Sequence, residues 1–88
     1  MKKVNTKFGW HYGVIRKTRR VNNVTCHYYE IHEIYPHANG QYLWTEDPIT
    51  PYGETVNELG GTLSRMITDL FYFPVFEIRK GKLIKRKG

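Results

Sequence analysis

The stretch Trp44–Leu59, WTEDPITPYGETVNEL, decides how the chain is read. It carries Glu46, Asp47, Glu54 and Glu58, spaced by Pro48, Pro51 and Gly53. Two readings compete: a cluster of carboxylates gathered for chemistry, or the joint where a strand gives way to a helix. Proline pins φ and cannot donate to a ladder, so a segment with Pro48 and Pro51 leaves a sheet as a shaped connector. Gly53 permits a backbone turn. Thr55 followed by Glu58 is a capping box, in which the threonine hydroxyl accepts from the third helical amide and the glutamate reaches back. Glu54 and Glu58 also suit the positive end of a helix dipole. Every charged residue of the stretch thus has a structural task, and the joint is the reading adopted.

Downstream, Val56, Leu59, Leu63, Met66, Ile67 and Leu70 recur at helical spacing and form one apolar stripe, which Pro74 brings to an end. Gly60 and Gly61 interrupt this helix, each costing about 1 kcal/mol relative to Ala. They are expected on the face away from the stripe, as a smooth spot where a second chain comes close. Upstream, FGWHYGVIRKT reads as a first strand and the asparagine pair in RRVNN as a turn. VTCHYYEIHEIY is a second strand, rich in aromatic and β-branched residues. Alternation puts Thr25, His27, Tyr29, Ile31 and Glu33 on one face and Cys26, Tyr28, Glu30, His32 and Ile34 on the other. Tyr29 and Ile31 are the expected core stripe. Asn39-Gly40 supplies a hairpin turn into a short third strand, QYLWT. After the helix, PVFEIRKGKLIKRKG predicts a fourth strand, a Lys80-Gly81 turn and a fifth strand. The order is β-β-β-α-β-β: an α+β domain with a three-stranded antiparallel meander, one amphipathic helix packed on the sheet, a fourth strand and a C-terminal hairpin.

Eighty-eight residues make a single small domain, read as residues 1–88 with basic tails at about 1–8 and 80–88. No apolar run reaches the ~18–20 residues that span a bilayer, so no membrane partner is expected. No apolar stretch follows the basic start, which argues against a secretory signal. Cys26 is the only cysteine, so no intrachain disulfide can form, and a reducing, cytoplasmic setting fits. At mid-strand it is read as a packed small residue rather than a nucleophile.

The net charge of +6 is segregated. Of the 14 Lys and Arg, 13 lie in residues 1–20 and 79–88, whereas residues 21–78 hold all eight acids and only Arg65. Arg16, Lys17, Arg19 and Arg20 surround the first turn, and Arg79, Lys80, Lys82, Lys85, Arg86 and Lys87 crowd the C-terminal hairpin. If the last strand lies near the first, these groups merge into a positive rim. With Trp10, His11 and Tyr12 beside it, such a rim suits phosphate contacts and base stacking. The competing reading is solvation, since lysine-rich ends also keep a small domain soluble and guard a sheet edge.

Metal and hydrolytic readings are weaker. His27, Glu30, His32, Glu33 and His37 are ligand types, but His27 and His32 face opposite sides of a strand. Glu30 and His32 share a face and make at most half of a zinc site, and are read as polar groups on the wet side of the sheet. No nucleophile elbow, HExxH helix or glycine-rich phosphate loop occurs, so neither a catalytic residue nor a cofactor is assigned.

The element order and the run PITPYGETVNELGGTLSRMI, with Gly53, Thr55, Glu58 and Leu59 at the helix start, resemble the HicB-type antitoxin domain over roughly residues 10–78. TEDPITPYGET replaces that family's usual connector, and no C-terminal DNA-binding domain is evident. The chain is also similar to small bacterial and phage proteins with a WTEDP…PxGET core. The HicB resemblance implies a non-enzymatic module that covers a protein partner, such as a basic nuclease, through an acidic surface. Here Glu30, Glu46, Asp47, Glu54 and Glu58 would form that surface, with Gly60 and Gly61 as a contact and a homodimer as a further expectation. The alternative is direct RNA or DNA binding through the basic rim.

Overall fold

A computed structural model describes residues 9–86. Its elements are β1 (His11–Val21), β2 (Val24–Pro36), β3 (Tyr42–Trp44), α1 (Val56–Tyr72), β4 (Phe76–Arg79) and β5 (Lys82–Lys85). The chain is a small α+β domain in which the strands form one five-stranded sheet, ordered β3-β2-β1-β4-β5. All pairings are antiparallel except β1 with β4, which α1 makes parallel by carrying the chain back across the sheet. Of the expected basic tails, residues 1–8, with Lys2, Lys3 and Lys7, and residues 87–88 lie outside the described residues. Lys82–Lys85, expected within the C-terminal tail, is strand β5.

Local chemistry sets the turns. Asn22 and Asn23 both adopt positive φ, the conformation that a two-residue hairpin requires and asparagine tolerates. Lys80 and Gly81 do the same between β4 and β5. The loop after β2 closes through His37 N–H donating to the Gln41 carbonyl at 2.9 Å, with Gly40 at φ +85°.

The core differs from the expected stripe. On β2 the buried residues are His32 and Ile34, while Tyr29 is 61% exposed and Ile31 half-buried. The buried face includes Gly13 and Ile15 of β1, which pair with His32 and Glu30. Ile15, Ile34, Phe76 and Leu83 form the core cluster, with Tyr42 and Trp44 packed against it. Side chains of both edge strands, Leu83 of β5 and Tyr42 and Trp44 of β3, therefore join one cluster, and the Tyr42 ring lies 5.1 Å from the Phe76 ring of β4, edge to face. The sheet curls nearly into a barrel around its own inner face. Hydrophobicity alone favours Tyr29 and Ile31; curling instead encloses the face whose polar member finds partners. His32 Nδ1 donates to the Thr45 carbonyl at 2.8 Å, and its Nε2 lies 3.1 Å from Glu30 Oε1. Both ring nitrogens thus have a polar partner inside the sheet. His32 is interior structure and not on the wet face of the sheet, with Glu30 half-buried at its edge.

The helix packs on the outer face of β1. Trp10 and Tyr12 alternate away from Gly13 and Ile15, and the Arg65 guanidinium sits 4.3 Å and 5.6 Å from their ring centroids. Tyr12 N–H donates to Asp69 Oδ2 at 3.0 Å, fixing the helix against the strand. Only Met66 of α1 is buried.

The proline-studded joint acts as the sequence predicts, with two refinements. Thr55 Oγ1 accepts from Glu58 N–H at 3.0 Å, but Glu58 Oε1 accepts from Glu54 N–H, one residue before the cap. Gly53 serves space more than turning: a Cβ there would meet Leu59 N at 2.3 Å and Leu59 Cα at 2.7 Å.

Candidate functional site

The β1–β2 hairpin extends past the rest of the sheet. Its two strands stay paired from His11↔Ile34 to Val21↔Val24, but β4 pairs with β1 only at Ile15 and Arg16, and β3 with β2 only from Ile34 onward. Every residue from 18 to 27 is exposed. The result is a two-stranded arm, consistent with a radius of gyration of 14.7 Å, where a compact chain of this length would have roughly 12 Å.

The arm and its base carry Arg16, Lys17, Arg19 and Arg20, with no acid between Arg16 and Tyr29. Alternation and pairing put Arg16, Thr18 and Arg20 on one face with Tyr29, His27 and Thr25, and Lys17 and Arg19 on the other with Tyr28 and Cys26. Two of these cations are held in place: Arg19 lies over the Tyr28 ring at 4.6 Å, and Arg20 Nη2 donates to the Asn23 carbonyl at 3.1 Å. Lys17 turns inward to Glu30, 2.8 Å away. That contact, and then the hydrogen bond from His32, holds the Glu30 carboxyl below its ordinary pKa, against an opposing effect of burial.

At the base, three arginines surround one carboxylate. Glu77 Oε2 lies 2.8 Å from Arg79 Nε, and its Oε1 lies 3.6 Å from Arg86 Nε and 4.0 Å from Arg16 Nη1. Glu77 thus orients the guanidiniums around it. Arg16 Nε is buried with no hydrogen-bond partner among the described residues. Two open grooves of about 370 and 430 Å³ flank the cluster, the first reaching Lys17, Thr18 and Tyr28, the second Ile84, Lys85 and Arg86. Because β4 runs parallel to β1, the Lys80-Gly81 turn points the same way as the arm, and Lys80 and Lys82 lie at the same end of the sheet. The strand beside β1 is β4, and β5 lies beyond it.

Other expected residues are placed elsewhere. Trp10 and Tyr12 lie at the opposite end of β1, about 20 Å of strand from Thr18. Both take part in the Arg65 stack, and Trp10 packs edge to face on Tyr12 at 5.1 Å. His11 stacks on Phe73 at 3.5 Å. Of the acids, Glu30 is paired with Lys17 and His32, and Glu58 is spent on the helix start. Glu46, Asp47 and Glu54 remain exposed on the connector. Gly60 and Gly61 are exposed on α1. Among the described residues no three His, Cys, Asp or Glu side chains gather as a metal site would require. Cys26 is exposed on the arm and not packed. Glu77 was not singled out from the sequence, although it is the only acid in the basic C-terminal run and so carried a signal.

No helix among the described residues is long and apolar enough to cross a membrane. No family profile, curated protein or solved structure matches this chain.

Proposed function

We propose that this chain is a non-catalytic nucleic-acid-binding protein that works in the cytoplasm and lays its basic β-arm along a duplex. One observation carries the reading: a two-stranded ribbon whose exposed part holds Arg19, Arg20 and no acid, with Arg16 and Lys17 at its base beside Arg79 and Arg86. The major groove of B-DNA, about 12 Å wide, admits a two-stranded β-ribbon. Arginines at the base would take phosphates, where their planar donors match the oxygens. Arg19 and Arg20 are already oriented, so little side-chain freedom is lost when they bind.

The test is binding to a random-sequence DNA duplex at several salt concentrations. With roughly five phosphates engaged, affinity should fall about 10²–10³-fold for a fourfold rise in salt. Arg19→Glu with Lys85→Glu should abolish binding, and the duplex should shield Cys26 from alkylation. Failure to bind at low salt, or binding that leaves Cys26 fully reactive, refutes the arm as the contact.

A second reading is a module that covers a protein partner, for instance a nucleic-acid enzyme, as the HicB resemblance implies. It is favoured by the exposed Glu46, Asp47 and Glu54 on the connector.

A further inference from the structure

The apolar band of α1 is wider than the sheet it covers. Leu59, Met66 and Leu70 turn inward, whereas Val56 is 85%, Leu63 41%, Ile67 58% and Phe71 81% exposed. These four residues form a second stripe at helical spacing, and Gly60 lies in its middle rather than on the polar side. The charged residues of the helix, Glu58, Arg65 and Asp69, share another face and are engaged in the cap and in the contacts with Trp10 and Tyr12. The exposed stripe therefore offers an oppositely charged partner nothing to pair with, and covering it desolvates no charge.

Its order of sizes is one that a second copy of the same helix would complement. In an antiparallel pair of identical helices with the two-fold axis between positions 63 and 64, Val56 comes opposite Phe71 and Gly60 opposite Ile67. Leu63 comes opposite Ser64. Each larger side chain meets a smaller one, as close packing of facing layers requires. A patch that complements itself in this way is the condition for a two-fold interface. At Gly60 an added Cβ would meet nothing within 4 Å, so the notch is open on the molecular surface. The stripe is small: Phe71 contributes on the order of 150–250 Å², and with the three smaller side chains each side stays below the roughly 800 Å² of a standard contact, so the association is a weak one.

We propose that the exposed stripe of α1 binds the same stripe of a second copy of this chain, antiparallel, with Ile67 of each helix seated over Gly60 of the other. Both copies carry a net charge of +6. Salt should therefore strengthen the association by screening their repulsion, the opposite of its effect on nucleic-acid binding.

The test is light scattering and sedimentation equilibrium on the full chain, up to millimolar concentration and at moderate salt. The mass should rise from 10.5 kDa toward twice that value. Gly60→Leu fills the notch where the folded monomer has open space, so it should weaken dimerisation at least tenfold without lowering the melting temperature of the dilute protein. Ile67→Glu should do the same by placing a charge in the seam. A wild-type chain that stays monomeric throughout, or a Gly60→Leu variant that dimerises as well as wild type, overturns the proposal. The readout is mass alone, so failure of nucleic-acid binding leaves it unaffected.

Discussion

Replacing Gly53 and Gly61 by alanine, one at a time, should move stability in opposite directions. At Gly53 the new Cβ would lie 2.3 Å from Leu59 N, 2.7 Å from Leu59 Cα and 2.8 Å from the Glu58 carbonyl carbon. All three are backbone atoms of the first helical turn, so no side chain can swing aside. Relief requires the connector to move by about 1 Å, and overpacking of this kind costs about 1–3 kcal/mol. The same movement strains the Glu54 N–H to Glu58 Oε1 and Glu58 N–H to Thr55 Oγ1 hydrogen bonds, each 3.0 Å long. Loss of the cap adds about 1–2 kcal/mol. For a domain of this size the sum lowers the melting temperature by roughly 10–30 °C. At Gly61 a Cβ meets nothing within 4 Å. The alanine there gains about 1 kcal/mol of helix propensity, a rise of roughly 4–8 °C. Thermal denaturation followed by circular dichroism measures both. If Gly53→Ala melts with the wild type, the connector is not clamped to the helix start and the scaffold reading of the joint is wrong. If Gly61→Ala lowers the melting temperature, the helix is not open at that position.

Thr55→Ala removes the cap without the steric conflict and should cost about 1 kcal/mol, a drop of roughly 4–8 °C, readable in the same melt. Acid stability tests the Lys17–Glu30–His32 chain. The Glu30 carboxyl is held below its unfolded pKa, mainly by Lys17 and then by His32. Its stabilisation is therefore complete above the ordinary glutamate range and is lost as pH falls through the lower folded value. Lys17→Gln should flatten that acid limb in urea unfolding measured across pH, and an unchanged limb would remove Lys17 as the cause.

How much was legible in the sequence follows the range of each interaction. The turns at Asn22-Asn23 and Lys80-Gly81, the capping box, the helix and the element order are local, whereas the turn expected at Asn39-Gly40 centres one residue earlier, with only Gly40 at positive φ. They rest on φ preferences, hydroxyl-to-amide geometry and periodicity over a few residues, and the chain carries them wherever it folds. The basic composition at both ends was equally plain. Which face of β2 is buried was not, because alternation separates two faces without ranking them. That choice was made when β3 and β5 closed over Ile15, Ile34 and Phe76, and it drew His32 inside because Thr45 and Glu30 offer partners to its two ring nitrogens. The convergence of Arg16, Arg79 and Arg86 on Glu77 likewise required the parallel pairing of β1 with β4, whose partners are 61 residues apart in the chain. Splitting the α1 stripe into a covered and an uncovered half depended on how much of a curled sheet one helix can reach. The sequence by itself determined the elements and the charge they carry. Only the tertiary structure decided which side chains meet, because that depends on strand neighbours and on curvature, which no local pattern encodes.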